Sequence, residues 1–470
     1  MPSITFARLP TLPAQAVQFA DRHDGQNHLL DREEHSRTGR IAPFRDPLVI
    51  AALVALALAV RLTYQREAIA DHPIRADAAK YYLAAFNLTH HGFYSTEWRG
   101  SEPPQTGTTL ARGYPLFLVP FFPGSTTTDD LFRRVTSIQA TLGALTVALT
   151  YVLARTGLGV AGSLGPSVLA ALSPHLVVYD AALLSETLFT ALSLAGVLVF
   201  VLCWRRGPAL GMLGAGLLLG AASATREIGL LLGPVLALLL PRPPGRSARG
   251  RLLLAFGAGV LMVLLADRAF LRVMTRGRPV EVVNSFWTQF VWGSFIEHPN
   301  DADPLLGRMA GDRAYGLRTM RERFARDPWR HLRWYLGGKV TRAWRWEDTY
   351  TGDVYVYPVR PAFHENALLH AVYVAVRTLH WPAFWLALAF PVLLLGYPPA
   401  RSLTAAFLPV VVTLAYYAVL LTILLPEPRY SVPLRPYVYV LAAATGTLGV
   451  RFVREPYKLR RAFRGSGVGA

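Results

Sequence analysis

The chain has 470 residues, of which 52% are hydrophobic and 17% charged, with a formal net charge of +18. Soluble domains carry about 25% charged residues, so this composition, with repeated apolar runs, excludes an ordinary soluble domain and indicates an all-α, polytopic membrane helix bundle. The basic residues sit mostly at the ends of apolar runs, where they set topology and meet anionic lipid, so the lipid bilayer and not nucleic acid is the expected partner.

Residues 1–46 mix charged residues, Gly and Pro with scattered apolar positions and lack the apolar core of a secretory signal, so a disordered cytoplasmic arm is predicted there. Within it, Asp21-Arg22-His23-Asp24-Gly25 offers metal-ligand residue types, but no second ligand cluster lies nearby and a solvated tail is the simpler expectation. About ten spans follow, at roughly 47–64, 134–155, 160–179, 186–204, 208–225, 228–241, 252–270, 381–397, 403–425 and 433–451, before a basic tail over 452–470. The single cysteine, Cys203, lies inside an apolar run and reads as a buried structural thiol.

Short connections decide orientation. One set carries Arg155, Arg205, Arg206, Arg242, Arg246, Arg249, Arg251 and Arg401 without a carboxylate, and the tail adds Arg451, Arg454, Lys458, Arg460, Arg461 and Arg464. The opposite set mixes Arg226, Arg429 and Arg435 with Asp180, Glu186, Glu227 and Glu427. The first set is therefore predicted cytoplasmic, with both termini, in a cytoplasmic or inner membrane. Two long segments, roughly 65–133 and 271–380, then fall outside.

In the first outer segment, Asp77 to Thr89 has a helical pattern, with Ala78, Tyr82 and Phe86 predicted on the packed face and Asp77, Lys80, Tyr81 and Ala84 on the other. Gly92 is placed to end this helix. A second helix is predicted to start near Thr128–Asp129 and run into the second span. In the later segment, Gly316–Ala325 carries Leu317, Met320 and Phe324 on one face. Asp327-Pro328 then reads as N-cap and first helical position of a helix reaching about Trp346. This pair is expected to lie on the membrane surface, its tryptophans and arginines serving as lipid anchors.

Charged groups beside apolar helices cost free energy, about 2.5–3.5 kcal/mol at the bilayer centre and less near its surface. Asp77 is open to two roles, helix N-cap or exposed general base. Lys80, three residues on, is either its ion-pair partner or a phosphate contact. Arg112 is a surface charge or a phosphate clamp, Glu186 a helix-start carboxylate favoured by the macrodipole, and Arg226 a snorkelling interface residue or part of a site. Arg429, in a Pro-bounded turn, offers the planar fork that matches phosphate oxygens. The adjacent His90 and His91 have no carboxylate at ligand spacing, and nucleotide-binding glycine motifs are missing, so no metal and no cofactor are expected.

Taken in order, D-A-A-K-Y-Y and H-G-F-Y over Asp77–Tyr94, R-G-Y-P-L-F at Arg112–Phe117, S-E-T-L-F at Ser185–Phe189, A-T-R at Ala224–Arg226 and E-P-R-Y-S-V-P at Glu427–Pro433 resemble the GT-C superfamily of membrane glycosyltransferases. The resemblance spans about residues 47–451 and is closest to the glycosyltransferase family 39 group, which includes protein O-mannosyltransferases and lipid A aminoarabinose transferases. Each motif is short; their order and shared side give the specificity. The resemblance implies a polyprenyl-phosphate-linked sugar donor and an envelope glycan, lipid or protein acceptor. It makes Asp77 the catalytic acid–base residue and gives Lys80 and Arg112 to the donor phosphate. Arg226 and Arg429 are expected to join them, with Tyr81, Tyr82, Tyr114, Glu186 and Tyr430 near substrate. Ala78 stands where protein mannosyltransferases carry Glu, which points away from that branch, and the W-W-D motif and large C-terminal domain of the oligosaccharyltransferase branch do not occur, which points away from that one as well. The competing expectation is a flippase for lipid-linked sugars or polysaccharides without transferase activity.

Overall fold

The computed structural model describes residues 46–70, 73–97, 111–206, 208–239, 246–277, 285–296, 303–346, 358–360 and 362–454. Residues 1–45, with Asp21–Gly25, and the tail beyond Arg454 lie outside the described residues. From Pro47 onward the chain forms one compact unit.

In chain order the helices begin with α1 (Pro47–Glu67), α2 (Ala76–His91), α3 (Gly113–Leu118), α4 (Thr128–Arg155), α5 (Val160–Leu172), α6 (Pro174–Asp180) and α7 (Glu186–Arg206). They continue with α8 (Ala209–Thr225), α9 (Leu232–Leu239), α10 (Arg246–Met274), α11 (Ser285–Gly293), α12 (Pro304–Gly311) and α13 (Arg313–Arg326). The remainder are α14 (Pro328–Arg333), α15 (Lys339–Ala343), α16 (Ala362–Glu365), α17 (Ala367–Gly396), α18 (Thr404–Ile423) and α19 (Arg435–Arg454). One short antiparallel pair departs from the all-helical expectation: β1 (Ile69–Ala70) against β2 (Pro358–Arg360), which ties the segment 65–133 to the segment 271–380.

Among the described residues, seven helices are long and apolar enough to cross a membrane, and eight crossings result if the α5–α6 pair counts as one. The chain is a multi-pass helical membrane protein. This revises the ten predicted spans. Helix α8 has 17 residues, about 25 Å at 1.5 Å per residue, short of a hydrocarbon core near 30 Å. The chain then breaks at Arg226, whose backbone is extended, before the short apolar stretch Glu227–Leu238. The α5–α6 bend of 49° falls at Ser173-Pro174, where proline forces the preceding residue out of the helical region.

Tight packing comes from small residues, as expected where lipid supplies no hydrophobic drive between helices. Helices α8 and α10 approach so closely that a Cβ on Gly216 would strike the Phe256 carbonyl, and one on Gly259 the Leu213 carbonyl. Cys203 is half-buried beside Gly211.

The described parts of the segments 65–133 and 271–380 follow their patterns with two changes. Gly92, at φ +58°, caps α2 as predicted, but the buried face of α2 is Ala78, Tyr81, Ala84 and Ala85. Tyr82 and Phe86 instead stack at 6.0 Å on the half-buried side, with Phe122 over them. The period was right and the phase off by about one residue, because the neighbours that α2 packs on are remote in sequence. Asp327 caps α14 through Arg330 N–H at 3.1 Å. The predicted long helix is interrupted by a π turn over Trp334–Gly338, which contains the Gly337-Gly338 pair, and ends at Ala343. Leu317, Phe324, Trp329 and Leu336 face outward (55, 42, 72 and 71% exposed), whereas Met320 packs inward against a small satellite core of Val291, Leu306 and Met309.

Candidate functional site

Several polar side chains gather where helices start or break, at the first turn of α2, the break after α8 and the Pro428–Leu434 turn. Asp77 lies in the first turn of α2, and Arg75, not Asp77, occupies the N-cap position. Ala76 just before it sits at φ +49°, a left-handed conformation that non-glycine residues seldom adopt and that costs on the order of 1–3 kcal/mol. The first turn of α2, which follows it, meets the Pro428–Leu434 turn. There Arg429 Nη1 donates to Asp77 Oδ2 at 2.9 Å. The pair joins positions 352 residues apart.

Arg226 enters the same cluster from the break after α8. Its Nη1 donates to Glu186 Oε1 at 2.5 Å and to Ser185 Oγ at 3.2 Å. The ring of Tyr430 lies under both guanidiniums, 5.2 Å from Arg226 and 5.1 Å from Arg429. Tyr81 completes the wall, its hydroxyl 3.3 Å from Ser185 Oγ. Burial, and then the Asp77 carboxylate, push that hydroxyl up to about 12, so it keeps its proton at neutral pH. Tyr114 touches Tyr81 edge-on at 4.9 Å and donates to Gln139 Oε1 at 2.6 Å. Gln139 in turn donates to the carbonyls of Asp180 and Ala182, at 3.0 and 2.7 Å, which fixes the irregular turn before Glu186.

Asp77, Arg226, Arg429, Glu186, Tyr81, Tyr114 and Tyr430 therefore meet. Three predicted residues do not join them in the expected way. Lys80 is exposed and has no ion pair among the described residues; Arg429 takes the carboxylate that the i,i+3 spacing offered it. Tyr82 belongs to the stack with Phe86 and Phe122. Arg112 is near, since Tyr94 interacts electrostatically with both Arg112 and Tyr81, but its fork is committed to Asp267 on α10. Its Nε donates to Oδ1 at 2.6 Å and its Nη2 to Oδ2. Those hydrogen bonds hold the Arg112 guanidinium above its ordinary value against the opposing effect of burial. Arg112 thus locks the segment before α3 to α10, and its charge is already paired with a carboxylate.

Two groups were missed by sequence reasoning. Asp267 stands in the apolar run 252–270, and Arg61 in the run 47–64. A charge inside a span is itself the signal, given its cost there. Arg61 pairs with Asp180 at 2.5 Å, both nearly fully buried (1 and 4% exposed). Asp180 also accepts from Thr187 at 2.7 Å. A small cavity of about 10 Å³ lies between this pair and Glu186, and Arg61 Nη2 and Glu186 Oε2 are buried there without a hydrogen-bond partner. The volume is about that of one water.

Below the Arg429 turn, Lys339 is fully buried and donates to the carbonyls of Thr422, Ile423 and Leu424, at 2.8, 3.1 and 3.0 Å. It caps α18 and so sets where the Glu427–Arg435 turn begins. Arg342 on α15 reaches Glu427 at 3.7 Å.

His90 stacks on Phe86 at 4.2 Å. Among the described residues no three His, Cys, Asp or Glu side chains gather as a metal ion requires.

Chemically, the cluster offers a carboxylate that is 24% exposed, two guanidiniums over one tyrosine ring and a neutral phenol, at the rim of an apolar bundle. A carboxylate can take a proton, and arginine forks can hold phosphate oxygens. No protein-family model matches the chain, and no curated protein matches it either.

Proposed function

We propose that the protein is an integral-membrane glycosyltransferase of GT-C type, moving a sugar from a polyprenyl-phosphate-linked donor to an extracytoplasmic acceptor. The observation that carries this is the Asp77–Arg429 contact of 2.9 Å, made between the two segments that the resemblance singles out, with Arg226 on the same tyrosine ring.

In this reading the donor's prenyl chain lies along the helices in the outer leaflet, and both chain termini are cytoplasmic. The donor phosphate displaces the Asp77 carboxylate from Arg429 and is shared with Arg226, with Lys80 free to swing in from its exposed position. Asp77, released from its ion pair, accepts the proton of the acceptor hydroxyl. That oxygen forms a bond to the anomeric carbon while the carbon–oxygen bond to phosphate breaks, its electron pair leaving on the polyprenyl phosphate, and configuration inverts. The leaving group is already a phosphate and needs little protonation, unlike the alkoxide of glycoside hydrolysis. Cations that stabilise the departing charge then contribute most.

The test is transfer of radiolabelled sugar from a polyprenyl-phosphate donor in membranes. Asp77→Asn is expected to lower turnover by at least about 10²-fold, the lower end of a general-base contribution, in protein that still folds. Arg429→Ala is expected to weaken dependence on the donor phosphate, read as a raised donor KM. Near-normal transfer by Asp77→Asn removes Asp77 from the chemistry. Lipid scrambling in liposomes without any sugar transfer overturns the enzyme reading in favour of a flippase.

A further inference from the structure

A second polar concavity lies in the later outer segment, apart from the Asp77 cluster. It is an open cleft of about 600 Å³ lined by Phe295, Ile296, Arg323, Arg326, Asp327, Arg330 and His331. The one carboxylate is spoken for: Asp327 accepts the Arg330 backbone N–H as the cap of α14. Three arginines and one carboxylate line the cleft. Arg323 stacks on Phe295 at 4.1 Å, and its Nη1 is buried without a hydrogen-bond partner. His331 is only 8% exposed. Its Nδ1 lies 2.8 Å from the Asp327 carbonyl, which can only accept, so Nδ1 carries the proton. Nε2 is left as a lone pair, and it too is buried without a partner. Buried polar atoms of this kind are uncommon in folded proteins and mark places where a ligand completes the hydrogen bonding.

We propose that this cleft binds a phosphate ester whose adjoining group carries a hydroxyl: the Arg323, Arg326 and Arg330 guanidiniums hold the phosphate oxygens, and His331 Nε2 accepts the hydroxyl proton. Guanidinium forks match phosphate oxygens geometrically. Burial pushes the Arg323 guanidinium down from its ordinary value, a cost that a neighbouring anion removes. The rim indicates where the ester comes from. Phe324, Trp329 and Leu336 stand exposed on the same run of helices (42, 72 and 71%), the pattern of an amphipathic surface seated in the lipid headgroup layer. A hydroxylated phospholipid headgroup fits both the arginines and the acceptor nitrogen; a soluble glycerol or sugar phosphate has the same chemistry without the need for the apolar rim. The cleft shares no residue with the Asp77 cluster, so it stands or falls independently of the transferase.

The test uses the full chain reconstituted in nanodiscs of equal parts phosphatidylglycerol and phosphatidylcholine, with retained lipid counted by native mass spectrometry after extraction. Wild type is expected to retain phosphatidylglycerol. The double variant Arg326→Gln/Arg330→Gln, at two exposed positions, is expected to lose at least about tenfold in retention, given the strength of charge-assisted hydrogen bonds, and Arg323→Gln should lose as much. Asp77→Asn is expected to retain lipid like wild type. Phosphatidylmethanol, a phosphodiester without headgroup hydroxyls, should be retained less than phosphatidylglycerol by wild type and equally by His331→Phe. A parallel thermal-shift titration in detergent with glycerol 3-phosphate separates the sources. A shift that the double variant abolishes, without retained phosphatidylglycerol, keeps the phosphate site and assigns it to a soluble ester. Retention by the arginine variants equal to wild type, or neither retention nor a shift in wild type, overturns the proposal.

Discussion

Arg61 and Asp180 meet at 2.5 Å inside the bundle, with Gly143 so close that a Cβ there would fall inside the carboxylate. Removing one partner of a buried pair strands the other charge. Asp180→Ala is therefore expected to destabilise the protein by about 3–5 kcal/mol, measured as loss of thermal stability in detergent. The double replacement Arg61→Met/Asp180→Leu should recover most of that loss, because it leaves no buried charge unpaired. A double variant as unstable as Asp180→Ala alone would show that the pair does more than neutralise itself. At this scale the sequence singled out Asp77 at a helix start, Arg226 at the end of an apolar run and Arg429 in a Pro-bounded turn, while Arg61 and Asp267 inside apolar runs were passed over. The sequence was silent on pairing. Nothing local distinguishes Lys80, three residues from Asp77, from Arg429, 352 residues away, as the partner of that carboxylate. An i,i+3 contact is worth only a few tenths of a kcal/mol in water and yields readily to a better-placed guanidinium.

At the scale of elements, the Lys339 cap on α18 connects the later outer segment to the turn that carries Arg429. Burial pushes its ammonium down to about 7 from the model-peptide value of 10.5. Between those values the unfolded chain holds a proton that the folded protein has released, so stability rises with pH from about 7 to 10 and the gain is lost as pH falls through about 7. The slope is at most about 1.4 kcal/mol per pH unit. The three carbonyls and the helix C-terminus favour the charged amine and hold it below that ceiling. Lys339→Met is expected to flatten the dependence between pH 7 and 9 in detergent melts; an unchanged slope would place its origin elsewhere. The period of α2 and the caps at Gly92 and Asp327 were readable from local rules. The phase of α2, the π turn at Gly337-Gly338 and the break at Arg226 were not, since each answers to what the element packs against.

At the scale of the whole molecule, Gln139 sits beside the Asp180 turn, whereas Arg155 ends the same helix about 24 Å away at 1.5 Å per residue. The Gln139 end of α4, beside the acid–base cluster, and its Arg155 end are thus opposite ends of one spanning helix. The proposed orientation puts the cluster outside. In a Cys203→Ser background, Glu97→Cys is expected to react with a membrane-impermeant maleimide in intact cells, and Arg401→Cys only after permeabilisation. The reverse pattern would put Asp77 in the cytosol and end the outer-leaflet donor hypothesis.

Apolar run length and charge asymmetry were sufficient by themselves to determine a multi-pass helical protein with distinct ends, because lipid demands long hydrogen-bonded apolar helices and positive charge biases their insertion. Pairing at those ends was decided only in three dimensions: Arg112 with Asp267, Arg61 with Asp180, Arg429 with Asp77. A charge at a membrane rim takes whichever partner the folded helices bring within reach, and that choice depends on helix crossings and breaks that no local pattern encodes.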